Sequence, residues 1–532
     1  MPRGSAASGP QRGQGAAPLA DLSARLSGLR GWNACLAAAT LGALSALALP
    51  PTFILPILLL TVPGLLFLLD AGGGVRRGAV LGFWFGFGHH MLGLYWVTDA
   101  ILLRAAQYWW LVPFAVPGLA VLLAPFIALA CALACCAAPG WRRVLLLGGG
   151  WVIGDLLREF VLGGFPWNPW GSMWAFPGLL GTAMIQPASW IGVPGLTLVT
   201  VLLAASPYLG RRFVALGAAA LAFWAALGLA RLSRPRLPAT DVAAVLVQGD
   251  VAEASKWSQA IAGRIFFRYL RLTAQGVAAA EARYPGKRIV VVWPETASPY
   301  LLEQDPGARQ AVMQAAHGAT AALVGSITYP DGNFHRRPRN SLVALEGDGK
   351  VLGTYDKWHL VPFGEYQPDW VPVPIQLVPA NLAPGVGPRT LRIPGVPPFG
   401  PLICYEAIFP GEVVNRADRP SWMINITNDA WFGNSSGPRQ HLVAARLRAV
   451  EEGLPLLRAA NTGISAGFDA RGRVLGRLGL DRTGDLVLQL PGALPETPFG
   501  RYGLAIPGLL ALAAIGGGLD LARKRRVGSR IS

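Results

Sequence analysis

At 532 residues, with 52% hydrophobic and only 14% charged residues and a mean hydropathy of +0.41, the chain is too apolar for an ordinary soluble enzyme. Its net charge of +17 would suit a nucleic-acid binder. The arginines cluster instead in alternate connections between apolar runs, which argues against that class.

Residues 1–30, rich in Gly, Ala, Ser and Arg without an apolar core or cleavage site, predict a disordered cytoplasmic tail. Runs of about 18 apolar residues suit helices crossing a hydrocarbon layer ~30 Å thick. Eight such runs follow, at 31–49, 52–69, 78–98, 109–137, 144–162, 180–207, 213–230 and 503–521. The fifth is the weakest, because Asp155, Arg158 and Glu159 stand near its end, where they can pair on one helical face. His89 and His90 in the third run read as polar groups packed between helices. The segment FPWNPWGSMWAF (165–176) predicts an interfacial aromatic belt, or alternatively the lining of a lateral path for lipid.

Arg3, Arg12, Arg25 and Arg30 precede the first run; Arg76, Arg77, Arg142, Arg143, Arg211 and Arg212 fill alternate connections, and RKRR (523–526) follows the last run. The opposite connections carry mainly Arg104 and Arg158. This positive-inside pattern places both termini in the cytoplasm and 231–502 outside it. Arg231, Arg234 and Arg236 run against the pattern, which a long translocated domain tolerates. The predicted order is a tail (1–30), a polytopic helical membrane domain of about seven spans (31–230), an extracytoplasmic domain (231–502), an eighth span (503–521) and a basic cytoplasmic tail (522–532).

Within 231–502, apolar strand-like runs alternate with helical ones, which predicts an α/β domain layered by helices. Strands are predicted at 241–250, 288–295, 321–329, 401–406 and 422–428, hairpins at 340–357 and 463–478, and helices at 257–284, 306–318 and 438–453. There is no Gly-rich phosphate loop and no CxxC or HExxH spacing, so neither a metal nor a cofactor is expected.

Three polar residues stand at the ends of apolar runs, where sites assemble in layered α/β folds: Glu295 after VVVWP, Lys357 after VLGTYD and Cys404 after PLI. Cys404 is the only one of the five cysteines in the extracytoplasmic domain, so it forms no disulfide there; it is a buried bystander or a reactive thiol. A carboxylate can take a thiol proton, an ammonium lowers a thiol pKa, and the ammonium with the N–H after the cysteine can hold an oxyanion. Glu406 competes for the base role but lies two residues from the thiol along a strand, which suits orientation or lysine pairing better. His359 is an alternative partner for the thiol.

The segments WPETASPY, YDKWHLVPFGEY and LICYEAIFP resemble, in that order, the Glu, Lys and Cys motifs of the nitrilase superfamily. Their variants, with VQGD…KW (248–257), RNSL (339–342), NDAWFGNSSGPRQHL (428–442) and the multi-span block before them, resemble its membrane-bound branch, the apolipoprotein N-acyltransferases. The resemblance implies an αββα sandwich, with Cys404 as nucleophile, Glu295 as general base and Lys357 as oxyanion-stabilising cation. It further implies that Glu365, Glu406 and Tyr405 support the site and that Trp257 and Asn340 meet substrate. Asp250 departs from the Asn expected after VQG, which bears on local substrate contacts only.

By the same resemblance the acyl donor is a phospholipid such as phosphatidylethanolamine, and the acceptor is the diacylglyceryl-cysteine amine of an apolipoprotein, in a bacterial inner membrane with the catalytic domain on the periplasmic side. A membrane-anchored amidase using water as second nucleophile would share the triad. A transporter or lipoprotein-binding scaffold would not need Cys404. The Pro-rich segment 367–388 is a candidate mobile loop over the site.

Overall fold

The computed structural model describes residues 17–256, 258–369 and 381–519; Trp257, the RKRR tail and residues 370–380 of the Pro-rich loop lie outside the described residues. Residues Ala17–Gly28 form a helix with an exposed Asp21–Arg25 ion pair at 2.9 Å, so this part of the predicted disordered tail is ordered.

Every predicted apolar run contains helix, but among the described residues three helices are long and apolar enough to cross a membrane: Gly31–Ala48, Ala105–Ala134 and Arg211–Ser233. A fourth arises if Gly178–Met184 and Ala188–Ala204, bent by 91°, count as one broken span. Leu55–Asp70 and Ala505–Gly518 are apolar but shorter. The helix Gly74–Gly93 is less apolar because it carries Arg76, Arg77, His89 and His90, and it packs closely through its glycines. Cβ atoms at Gly78, Gly82 and Gly86 would fall within 2.6–3.0 Å of Cys135, Cys131 and Ala124 on the facing helix Val112–Ala134. A row of small residues four apart lets two helix backbones approach. His89 is packed in the same way, its Nδ1 2.8 Å from Ser45 Oγ and its ring against Trp170.

The rest of the chain builds two six-stranded sheets. The strands are β1 (Ala239–Gln248), β2 (Arg288–Val292), β3 (Ala321–Thr328), β4 (Arg339–Glu346), β5 (Val351–Asp356), β6 (Leu391–Ile393), β7 (Val396–Ile403), β8 (Trp422–Thr427), β9 (Leu456–Ala460), β10 (Ser465–Phe468), β11 (Val474–Leu478) and β12 (Gly484–Pro491). One sheet runs β12-β1-β2-β3-β4-β5, the other β11-β10-β9-β8-β7-β6. Each has two parallel pairings at its centre, β1/β2/β3 and β7/β8/β9, flanked by antiparallel ones.

Alternation along the strands sorts side chains between two layers. Val242, Ala244 and Leu246 of β1 face Phe399, Ile403, Trp422 and Ile424 of the second sheet, forming the inner core. Val245 and Val247 point outward under the helices Gln259–Arg283 and Pro306–Ala315. Met423, Leu456 and Phe468 do the same under Gly437–Glu452, completing four layers. Burying each such aromatic or branched side chain contributes ~1.5–3 kcal/mol. Strands β6, β9 and β12 were not foreseen in the sequence, and β12 closes its sheet by pairing antiparallel with β1.

Candidate active site

The three predicted residues meet at carboxyl ends of strands. Glu295 lies in the turn after β2, Lys357 directly after β5 and Cys404 directly after β7 on the facing sheet. Lys357 is fixed by its backbone, since its N–H donates to Asn340 O at 2.8 Å. The Glu295 turn crosses Gly325 of β3 so closely that a Cβ there would meet Pro294 O at 2.0 Å and Thr296 N at 2.7 Å. Cys404 is held at φ +50°, a left-handed conformation that is rare for a side-chain-bearing residue.

All three side chains are buried. Lys357 Nζ donates to Glu295 Oε1 at 3.2 Å and to Glu365 Oε1 at 2.9 Å, with Glu365 Oε2 at 2.8 Å. Asn340 Nδ2 donates to Glu295 Oε1 at 2.6 Å, and the Asn428 N–H donates to Glu295 Oε2 at 2.9 Å. Burial pushes the Glu295 pKa up, but Lys357, Lys256 and the Asn340 hydrogen bond outweigh it, and the net direction is down. Burial pulls the Lys357 ammonium down, and Glu295 and Glu365 more than reverse this. The resting pair is therefore a carboxylate and an ammonium.

The thiol behaves differently from the expectation that the ammonium would lower its pKa. Burial, and then the Glu295 carboxylate, hold Cys404 well above the usual thiol range, although Lys357 works the other way. Cys404 is thus a protonated thiol at rest beside an ionised base, and the proton must leave as the sulfur attacks.

The supporting residues divide by what they touch. Glu365 pairs with Lys357 and also accepts the Val361 N–H at 2.9 Å. Asn340, expected at substrate, spends its amide on two carboxylates, with Glu365 Oε1 at 3.0 Å, and so orients the base and the lysine. Glu406 does not pair with Lys357. It accepts the Ile403 N–H at 2.6 Å, the Trp358 N–H at 2.7 Å and the Tyr355 hydroxyl at 3.1 Å, tying the turns that carry Cys404 and Lys357 together. Burial pushes its pKa up to about 7 against those bonds. The Tyr405 side chain is buried, and its hydroxyl donates to Gly164 O at 2.5 Å. His359 binds Glu412 at 2.7 Å and stacks on Phe409, which removes it as a partner for the thiol. Asp250 adopts φ +52°, a conformation that Asp and Asn tolerate better than other side chains, and its N–H donates to Asn461 O at 2.8 Å.

Several residues at the site were not singled out from the sequence. Lys256 donates to Glu295 O at 3.1 Å and to Thr296 Oγ1, adding a second cation behind the base. Its only sequence signal was its place in the KW pair. Behind Cys404, His441 lies 3.0 Å by Nε2 from Cys404 O and 2.8 Å by Nδ1 from Asp429 Oδ1, while Asp429 Oδ2 accepts Arg458 at 2.5 Å. Burial raises the Asp429 pKa, but Arg458 and then His441 bring it below the carboxylate range. The sulfur of Cys404, an oxygen of Asp429 and a nitrogen of His441 lie within 4.8 Å of one another. The oxygens and nitrogens are committed to each other, to Arg458 and to the Cys404 carbonyl, and a guanidinium disfavours a cation beside it.

The 165–176 segment fits neither expectation made for it. Trp167, Trp170 and Trp174 are buried; Trp170 packs on Phe85, His89 and Trp151, while Trp167 and Trp174 form a socket for the helix Gly437–Glu452. Gln440 Oε1 accepts both Trp96 Nε1 and Trp167 Nε1 at 2.9 Å, and the Trp167 ring lies 5.5 Å from His441. Asp155 and Arg158 do pair, at 2.6 Å, and Arg158 also donates to Trp167 O at 3.2 Å.

Residues 252–493 match the carbon-nitrogen hydrolase family, and residues 41–206 match the N-terminal domain of apolipoprotein N-acyltransferase. The chain is 39% identical to the apolipoprotein N-acyltransferase of Rhodopseudomonas palustris over 94% of its own length and 97% of the relative's. It is 39% identical to that of Bradyrhizobium diazoefficiens over 94% and 96%. Among solved structures, an amidase from Nesterenkonia sp. is similar at 20% identity and a TM-score of 0.35, covering 49% of this chain and 94% of that one.

Proposed function

The chain belongs to the apolipoprotein N-acyltransferase family, and from that premise we propose that it moves an acyl chain from a phospholipid, by way of a Cys404 thioester, to the α-amino group of a diacylglyceryl-cysteine on an apolipoprotein. In the first step Glu295 takes the thiol proton as the sulfur adds to the ester carbonyl. Lys357 Nζ and the Tyr405 N–H hold the oxyanion. Collapse breaks the ester C–O bond, and Glu295 returns the proton to the departing lysophospholipid oxygen. In the second step the acceptor amine adds to the thioester, Glu295 takes its proton, and the C–S bond breaks to give an N-acyl product and the free thiol.

The observation that carries this reading is the buried group of Glu295, Lys357 and Cys404 at three strand ends, in a chain whose other half is apolar helix. Moving an acyl chain into water costs ~0.8 kcal/mol per CH₂, so a lipid substrate favours a site tied to the bilayer. On this reading all eight apolar runs between 31 and 521 are spans, 231–502 is the periplasmic catalytic domain of an inner-membrane enzyme, and both termini are cytoplasmic. Phosphatidylethanolamine is the donor we favour.

The test uses the full chain in proteoliposomes with phosphatidylethanolamine alone. Mass spectrometry is expected to find an acyl adduct on Cys404, absent in Cys404→Ser. A diacylglyceryl lipopeptide with a free amine then removes the adduct and appears N-acylated. Release of free fatty acid with no N-acylated peptide would replace this reading with a hydrolase of the amidase type. Retained function in Cys404→Ser would replace it with a binding role.

A further inference from the structure

We propose that His441, held from behind by Asp429 and Arg458, orients and polarises the peptide between Cys404 and Tyr405 so that its N–H serves as an oxyanion donor. The inference rests on the acyl-transfer reading for the existence of an oxyanion, and on nothing about the acyl acceptor.

A carbonyl oxygen can only accept, so at 3.0 Å from Cys404 O the Nε2 of His441 must be the donor. On the other side Nδ1 lies 2.8 Å from a carboxylate oxygen of Asp429, whose second oxygen is held by Arg458. Nδ1 also lies 3.3 Å from Arg458 Nη2, so the ring is fixed between Asp429 and Arg458 while Nε2–H donates to the Cys404 carbonyl.

In a trans peptide the C=O and the N–H of the next residue point in opposite directions within one plane. Pinning Cys404 O toward His441 therefore fixes the direction of the Tyr405 N–H, which points the opposite way in the peptide plane. That N–H makes no hydrogen bond within the described residues. A donor on the carbonyl also draws electron density through the amide and strengthens its N–H as a donor. Cys404 sits at φ +50°, a sparsely populated conformation that persists only where surrounding contacts hold it, and the His441 bond is one such contact. The rings of Trp167 and Phe432, at 5.5 and 6.3 Å, flank the imidazole, and His441, Asp429 and Arg458 are all buried, so water does not compete for these bonds.

His441 is a positioning residue, and the test separates it from a general structural role. Acylation of Cys404 by a p-nitrophenyl fatty ester forms an oxyanion, whereas alkylation by iodoacetamide displaces iodide and forms none. Both rates are measured on wild type, His441→Leu and His441→Gln, with KM for the ester. His441→Leu is expected to slow acylation about 30- to 100-fold, somewhat less than outright loss of an oxyanion donor. KM should stay within about threefold and the acylation loss should exceed any alkylation loss at least tenfold. His441→Gln, which keeps an N–H donor but not the ring wedged between Asp429 and Arg458, is expected to recover about half of that loss on a logarithmic scale. Equal losses in both reactions, or wild-type acylation in His441→Leu, would overturn the inference. If His441→Leu does not fold, His441→Gln decides: about a tenfold loss confined to acylation supports it, and an equal loss in both or none overturns it. A wild-type protein that is alkylated but never acylated would sink the acyl-transfer reading itself.

Discussion

Gly325→Ala tests whether the position of the base, and not just its presence, sets the rate. Gly325 lies on β3 beneath the Glu295 turn, and its missing side chain is the space through which that turn passes. An added Cβ would stand 2.0 Å from Pro294 O, 2.7 Å from Thr296 N and 2.8 Å from Glu295 Cα. All three are backbone atoms, so no side-chain rotation relieves the contact. Real Cβ contacts essentially never fall below 3.0 Å, so the turn must retreat by about 1 Å, and Glu295 retreats with it. The carboxylate then loses register with three donors, Asn340, Lys357 and the Asn428 N–H. A misplacement of about 1 Å costs roughly 10²-fold in rate, and overpacking costs about 1–3 kcal/mol of stability. The assay is single-turnover formation of the acyl-Cys404 adduct, with a thermal melt in parallel. A folded Gly325→Ala protein that acylates at the wild-type rate would refute the claim that this turn positions the base.

Glu295→Gln should slow acylation about 10²–10⁴-fold in the same assay, as loss of a general base does. Because that carboxylate is the largest charge raising the thiol pKa, the same change should move the pH profile of iodoacetamide alkylation to lower pH; a profile that stays put would contradict the assignment. Lys256→Met removes a cation that helps lower the Glu295 pKa, so the acid limb of the acylation profile should move up in pH, and an unmoved limb counts against Lys256 acting there. Burial raises the Glu451 pKa to about 7, so its folded value exceeds its unfolded one. Its contribution is fully present below the unfolded carboxylate pKa, near 4.3, and is lost as pH rises through about 7. Glu451→Gln keeps an oxygen for the Val193 N–H but removes the carboxylate that Arg448 meets at 2.9 Å, so it lowers stability overall while flattening the fall in stability from pH 5 to 8 by an amount on the order of 2–3 kcal/mol. An unchanged slope would refute that.

The meeting of Glu295, Lys357 and Cys404 was legible because each follows an apolar strand in its own recognisable segment, and strand ends are where sites form. The strands β6, β9 and β12 were harder to read. β6 is three residues long, and LLRAA carries a buried arginine, Arg458, whose charge disguises a central strand. That arginine is tolerated because Asn425 and Asp429 accept from it, and such a pairing appears only once the fold brings them together. His441 was hidden for the same reason, since nothing in its helix announces that it faces the carbonyl of a residue 37 positions earlier. The spans are legible in the sequence by a different measure from helix length and composition. Apolar content marked eight runs, but glycine rows and prolines shorten, dilute or bend several of them, because side-chain volume is exchanged for close helix contacts. The tryptophans of 165–176 read as a belt because Trp favours membrane interfaces, a tendency that tertiary burial overrode.

The helix Gly437–Glu452 explains why the catalytic half and the membrane half form one device. Ala445 and Ala449 pack on the outer face of the second sheet, while Val443, Leu447 and Val450 pack against Trp174, Met184, Ile185 and Trp224 of the membrane half. Its polar residues reach the same way. Arg446 donates to Ala175 O at 3.0 Å and to Thr182 Oγ1 at 2.6 Å, and Glu451 accepts the Val193 N–H at 2.7 Å next to the break at Gly192. One residue along from the Gln440 that holds two membrane-half tryptophans, His441 holds the carbonyl of the nucleophile. A displacement of the tryptophan socket would therefore pass through a single turn of helix to the Cys404–Tyr405 peptide. For a lipid substrate this coupling has a use: it fixes the height and orientation of the thiol relative to the apolar helices, so that a chain arriving from the bilayer meets the sulfur at a set place.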